Sequence, residues 1–119
     1  MNIGVIGSRT FNNYKLLKRV LDRFIFNIED GRLTIVSGGA DGADSLAEQY
    51  CKENNIIPVV FKPEWNKYPG KSAAAIRNQK IVDHSDFIIA FWNGRSPGTK
   101  MTIDFARKAN KEVFIHWDN

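Results

Sequence analysis

Four short segments carry residues whose types and spacing suit the binding of an anion. In Gly7-Ser8-Arg9-Thr10-Phe11 a glycine permits a sharp turn, and a hydroxyl and a guanidinium follow. An Arg so placed can fork onto a phosphate or a carboxylate, or lie in solvent. Ser37-Gly38-Gly39-Ala40-Asp41-Gly42-Ala43-Asp44 holds three glycines. Such a loop can expose backbone N–H groups to an anion beside a helix N-terminus. It can equally be a tight turn in which Asp41 or Asp44 caps the helix. It matches neither G-x-G-x-x-G nor G-x-x-x-x-G-K-[ST]. Gly70-Lys71-Ser72-Ala73-Ala74-Ala75-Ile76-Arg77-Asn78 sets Arg77 and Asn78 beside small apolar neighbours on one helix face. A charge facing inward needs a partner, either an internal carboxylate such as Asp44 or Asp86, or a bound anion. In Phe91-Trp92-Asn93-Gly94-Arg95-Ser96-Pro97-Gly98-Thr99, Ser96 suits an N-cap with Pro97 at the first helical position. Trp92 suits stacking on a base or packing on a neighbouring helix, and Trp65 and Tyr68 share that choice.

All four segments follow apolar runs, so the elements that must position them are readable from the pattern. Strands are expected at Ile3–Ile6, Leu33–Val36, Ile56–Phe61, Phe87–Phe91 and Val113–Ile115. Pro58 points to a strand start or an edge. Helices are expected from Tyr14 to Glu29, stopped by Gly31, then Gly42–Asn54, Ser72–His84 and Gly98–Asn110. This alternation implies a single α/β domain over residues 1–119. It is a doubly wound, Rossmann-like sandwich of about five parallel strands with helices on both faces. Ligands in such sheets bind beyond the carboxyl ends of the strands, where the four segments fall. The stretch from Lys62 to Gly70 is long for such a connection and suggests a lid.

Composition narrows the function classes. The 119 residues are 43% hydrophobic and 25% charged, which excludes disorder, collagen and coiled coil. A net charge of +4 favours an anionic partner without choosing between nucleotide and nucleic acid. No apolar run approaches the roughly 18 residues of a membrane span, and no signal peptide is expected. Cys51 falls on the apolar face of its helix and reads as a small core residue. A lone cysteine fits a reducing cytoplasm, the expected location. His84 and His116 have no ligand-like neighbours in sequence, so no metal site is expected. No serine sits in a G-x-S-x-G setting.

Six motifs in order resemble the YspA-like branch of the SLOG superfamily, which also contains the Smf/DprA and LOG proteins. They are Ile6 to Phe11, Val36 to Asp44, Pro63-Glu64-Trp65, Gly70 to Asn78, Ala90 to Gly94, and Gly98-Thr99. The resemblance covers nearly the whole chain. It implies a Rossmann-like domain for nucleotide-derived ligands such as NAD derivatives, ADP-ribose or nucleoside monophosphates, with no obligatory cofactor. It leaves a homo-oligomer open. The LONELY GUY phosphoribohydrolases are more distantly similar. Arg77 looks like their catalytic arginine and Gly98-Thr99 like their Gly-Thr pair, while Thr102 stands at their glutamate. Asp41 stands where the YspA-like loop usually carries Arg.

The expected ligand-binding set is therefore Gly7, Ser8, Arg9, Ser37, Gly38, Gly39, Ala40, Asp41, Gly42, Asp44, Trp65, Lys71, Arg77, Asn78, Trp92, Gly94, Ser96, Gly98 and Thr99. Backbone N–H groups of Gly38, Gly39, Gly42, Gly98 and Thr99 would hold phosphates. Arg9 and Arg77 would neutralise charge. Asn78 and Asp44 would bond ribose or orient Arg77, and Trp65 or Trp92 would cover the base. An enzyme cleaving an N-glycosidic bond is the alternative, with Arg77, Asp44 and Asp104 as catalytic candidates and Asp86 a further carboxylate. Nucleic-acid binding, by analogy with DprA, is the third.

Overall fold

The computed structural model describes residues 1–28 and 31–118. Its elements alternate as β1 (Asn2–Gly7), α1 (Tyr14–Phe26), β2 (Thr34–Ser37), α2 (Ala43–Asn54), β3 (Ile57–Val60), α3 (Lys71–His84), β4 (Phe87–Trp92), α4 (Pro97–Lys108) and β5 (Val113–Trp117). All strand pairings are parallel, in the order β3-β2-β1-β4-β5. The strand order reverses between β1 and β4, so the crevice above that pair is where this topology places a ligand.

Side-chain alternation explains the two-sided core. Successive residues of a strand point to opposite faces. Ile3, Val5, Ile35, Ile89 and Phe91 therefore pack with Leu17, Leu21, Ala47 and Tyr50 of α1 and α2. Ile6, Val36, Ile88 and Ala90 pack with Ile81 and Val82 of α3 and with Ile103 and Ala106 of α4. The central strands are buried on both faces, which is why their sequences read as nearly continuous apolar runs. β3 is an edge strand, where Pro58 is tolerated.

Most boundaries differ from the sequence expectation by one or two residues, and the end of α1 by three. α1 ends at Phe26 rather than running to Glu29, which lies outside the described residues, or being stopped by Gly31. Asn27 closes it: its amide donates to Ile25 O, and its side chain donates to Arg23 O at 3.1 Å. α3 begins one residue early, with Gly70 at φ +54° as its cap. His84 ends α3, and Ser85 is its C-cap before β4. Asp86 lies at the amino end of the sheet, where it accepts from Asn2 N at 2.6 Å. It is not the partner of Arg77.

Leu21 is fully buried between α1 and the sheet. Leu21→Ala should cost about 2–5 kcal/mol of unfolding free energy, read from urea denaturation. A loss under about 1 kcal/mol would mean that α1 does not close this face.

Candidate functional site

Ser8 joins the three segments that build the crevice. Its N–H donates to Phe91 O at 3.0 Å, extending the β1–β4 pairing by one residue. Its hydroxyl accepts from Asn93 N at 3.1 Å, which fixes the exit of β4. Its carbonyl accepts from Phe11 N at 3.1 Å and from Ala43 N at 3.4 Å, the first residue of α2. Gly42, at φ +77°, passes so close that a Cβ there would collide with the Ser8 carbonyl and with Arg9. Glycine is required at that point both for its backbone angle and for the close approach.

Asp44 is the buried acid of the site, 7% exposed. Its carboxylate turns back from the first turn of α2, and Gly38 N and Ala40 N both donate to Oδ2 at 3.1 Å. The glycine loop thus spends two of its amides on an internal carboxylate. This corrects the expectation that the Gly38 amide holds a phosphate, and the capping expectation too: Gly42 is the N-cap, with no side-chain cap bond. Burial pushes the Asp44 carboxyl up to about 6, against the pull of the Ala40 and Gly38 amides and of Arg77.

Arg77 reaches across from α3 to the same loop. Nη1 donates to Gly38 O at 2.6 Å, and Nε donates to Asn78 Oδ1 at 2.8 Å. A Cβ on Gly38 would lie 2.6 Å from Arg77 Nη1 and 3.0 Å from Asp44 Oδ2. The absent side chain is what lets guanidinium and carboxylate share that space. Burial lowers the Arg77 pKa, Asp44 opposes the drop, and Arg9 adds to it by like-charge repulsion. The ion pairs among the described residues are Lys18–Asp22, Lys80–Glu64 and Lys100–Asp104, and neither Arg9 nor Arg77 belongs to them.

Opposite Asp44 stands the start of α4. Ser96 occupies the N-cap and Pro97 the first turn, as the sequence suggests, but no side chain caps the helix. Asn93 Oδ1 accepts from Arg95 N at 2.8 Å and from Ser96 N at 2.9 Å, which shapes the approach. The Thr99 hydroxyl donates to Ser96 Oγ at 3.1 Å. The amides of Gly98 and Thr99 find no acceptor among the described residues and sit at the positive end of the helix.

Two cavities occupy the crevice. The first, about 440 Å³, lies between β1, α3 and the start of α4 and is bounded by Ser8, Asp44, Arg77, Asn78, Gly98 and Thr99. The second, about 410 Å³, lies over the glycine loop and is bounded by Gly39, Asp41, Lys62, Pro63 and Trp65. Arg9, Ala40 and Arg77 line both. Trp65 is 57% exposed at the rim, with its loop tied to α3 by the Lys80–Glu64 pair at 3.1 Å.

Most of the expected site residues converge here, and several do not. Gly7, Ser8, Arg9, Ala40, Asp44, Arg77, Asn78, Ser96, Gly98 and Thr99 line the first cavity, and Gly38, Gly39, Asp41 and Trp65 line the second. Ser37 is buried and gives its carbonyl to Phe61 N at 2.9 Å, away from both. Gly42, Lys71 and Gly94 also lie outside the cavity walls. Trp92 is engaged elsewhere: its Nε1 donates to Ser96 O at 3.1 Å, and its ring stacks on Trp117 at 5.4 Å. Asp104 faces outward and pairs with Lys100 at 3.0 Å. Thr102, where the resemblance places a glutamate, is buried, lines the first cavity and donates to Gly98 O at 3.0 Å. Asn93 and Lys62 are wall residues that the motif reading passed over. Their signal was position, each falling just past a strand end.

A family model described as the YspA, cpYpsA-related SLOG family matches residues 1–68. The chain belongs to that family. The match takes in β1, the glycine loop, Asp44 and Trp65, and stops before Arg77 and the start of α4. The Gene 61 protein of Mycobacterium phage D29 is 35% identical over 92 residues, covering 72% of this chain and 73% of the phage protein. DNA processing protein A (DprA) of Streptococcus pneumoniae shares the fold, with a TM-score of 0.77 at 22% identity over 96% of this chain. This chain spans about half of the DprA chain, 49%. No helix among the described residues is long and apolar enough to cross a membrane, and none of their His, Cys, Asp and Glu side chains form a group that could hold a metal ion.

Two substitutions and one control test this geometry. Gly38→Ala should displace the Arg77 guanidinium and lower the melting temperature, whereas Gly31→Ala, with nothing near its Cβ position, should not. A wild-type melting temperature in Gly38→Ala would contradict the packing described. Asp44 binds its proton more tightly folded than unfolded, so its contribution to stability falls as pH rises from about 4 to about 6. Asp44→Asn should therefore be more stable than wild type at pH 8, by about 1–3 kcal/mol in urea denaturation, with the difference shrinking toward pH 4. A variant less stable than wild type at pH 8 would mean that the charge is not a burden there.

Proposed function

We propose that this chain binds a nucleotide or nucleotide-sugar across the two cavities, with the phosphate at their shared wall. The observation that carries the proposal is the Arg9–Arg77 pair beside the uncapped start of α4. Two guanidiniums that repel each other inside a crevice are relieved by an anion. The free Gly98 and Thr99 amides supply donors aimed at the same place. Asp44 and Asn78 offer polar atoms for ribose hydroxyls, and Trp65 offers a face for a base over the second cavity. Lys62 on that rim suits a second phosphate, as in ADP-ribose. Membership in the SLOG family supports a nucleotide ligand. The fold shared with DprA and the net charge of +4 are what a nucleic-acid reading would rest on.

Hydrolysis of an N-glycosidic bond is the second reading, and one observation narrows it. Of Asp44, Asp86 and Asp104, Asp44 alone lines the crevice. A carboxyl with a pKa near 6, shielded from water, is suited to proton transfer near neutral pH.

Binding of AMP and ADP-ribose, followed by saturation-transfer NMR and calorimetry, tests both readings. Arg77→Ala should weaken binding about 10–100-fold, the effect of losing a charge-assisted hydrogen bond, with the fold checked by circular dichroism. Trp65→Ala should weaken it less, and Trp92→Phe should leave it unchanged. Wild type that binds neither ligand, or Arg77→Ala that binds as wild type does, would sink the proposal. Release of free base, lost in Asp44→Asn, would favour the hydrolase.

A further inference from the structure

We infer that Asp44 makes anion binding at this site proton-coupled: an anion docking between Arg9, Arg77 and the start of α4 takes up a proton on the Asp44 carboxyl. The inference rests on the anion-site reading above and adds its regulation.

The geometry supplies the coupling. Asp44 Oδ2 fills the glycine-loop amides of Gly38 and Ala40, so an internal negative charge sits in the loop before any ligand arrives. No donor among the described residues bonds its second oxygen, and the side chain lines the first cavity. Arg77 does not spend its hydrogen bonds on Asp44; they go to Gly38 O and Asn78 Oδ1. A docked anion therefore meets the carboxylate across the cavity, with no ion pair between them to absorb the repulsion.

The surrounding charges leave little to spare. Arg77 acts on Asp44 from α3, Arg9 lines the same cavity from the exit of β1, and Lys62 lines the second cavity from the loop after β3. Glu48 of α2 acts on Asp44 from its own helix, and Asp41 flanks the loop. From α4 the cavity wall holds only uncharged residues, Ser96, Pro97, Gly98, Thr99 and Thr102. Of the charged groups that line the first cavity, Arg9 and Arg77 stand against Asp44 alone, and a dianion turns that sum of +1 into −1. Neutralising the one acid that is buried and already reluctant to ionise is the cheapest response. The bound Oδ–H then has a ligand oxygen available as acceptor, while Oδ2 keeps its two amide donors.

The sign follows. Free Asp44 is mostly ionised at pH 7 and protonated below about 6. A ligand that raises its pKa further binds more tightly as pH falls. One unit of additional shift corresponds to about tenfold in affinity.

Sulfate is the probe, since it stays dianionic across the range tested. Its binding is followed through the Gly98 and Thr99 amide resonances between pH 5.5 and 8.5, with the Asp44 side-chain carbon titrated in parallel. Wild type should bind sulfate about tenfold more weakly at pH 8.5 than at pH 5.5, and saturating sulfate should raise the Asp44 titration midpoint by about one unit. Asp44→Asn should bind with no pH dependence. Calorimetry of wild type in two buffers of different ionisation heat should show proton uptake at pH 7 without recourse to any variant. Sulfate binding that is flat with pH and takes up no proton overturns the coupling and leaves the anion site standing. PH dependence that persists in Asp44→Asn also overturns it. No response of Gly98 or Thr99 at any pH overturns the anion site and the coupling together.

Discussion

The site depends on one buried carboxylate being seated on backbone amides. Asp44 leaves the first turn of α2 and draws Gly38 N and Ala40 N onto a single oxygen. That closes the loop between β2 and α2 into a fixed curve, with the Gly38 carbonyl turned toward Arg77. Without the carboxylate the two amides would need other acceptors, and Arg77 would lose the rigid carbonyl that holds it. A buried charge costs free energy unless its hydrogen bonds are complete. Here the bonds are two amide donors on one oxygen, and the neighbouring cation acts through space. The arrangement keeps the acid in place and leaves it poorly compensated.

The same carboxylate sets what glycine does in the loop. Gly38 exists as glycine because a Cβ would strike both the guanidinium and the carboxylate, and Gly42 because the chain must pass the Ser8 carbonyl at positive φ. Three glycines after a strand suggested amides presented to a phosphate. The physical need is closeness: backbone of one loop against backbone of another, and two opposite charges sharing one space. Two of the loop's amides are spent in this way, and unfilled amides also stand at the start of α4, where Ser96 holds the cap position without capping.

The strands, their order along the chain and the placement of the chemistry past their carboxyl ends were legible because parallel strands buried on both faces leave continuous apolar runs. The inward face of α3 was legible from Arg77 and Asn78 set among alanines. Trp92 and Asp104 were not. Whether a tryptophan at a strand end faces a ligand or a neighbour depends on what the next strand carries, and β5 places Trp117 against it. Asp104 sits two residues past the cavity-lining Thr102. On a helix that step turns a side chain well away from it, toward Lys100 on the outer face. The internal use of the Gly38 and Ala40 amides was illegible for a different reason. A carboxylate in a first helical turn can serve its own helix or the loop before it, and the residue pattern alone does not say that this one turns back to Gly38 N and Ala40 N.

The family match and the site divide the chain at different places, and the difference is informative. Residues 1–68 carry the acid, its loop, Arg9 and Trp65. Arg77 and the start of α4 lie beyond the match, yet they hold the second guanidinium and the free amides. The switch in strand order between β1 and β4 is what joins them: Ser8, at the end of the matched first strand, takes the Asn93 amide at the end of β4. The acid and Arg9 are thus positioned by the first half and the free α4 amides by the second, with Arg77 as the side chain that crosses between them. On the proposed reading, a substitution at Arg77 or at the start of α4 alters which anion is held while the loop around Asp44 stays intact. A change in that loop disturbs both, because the Gly38 carbonyl is the surface on which Arg77 rests.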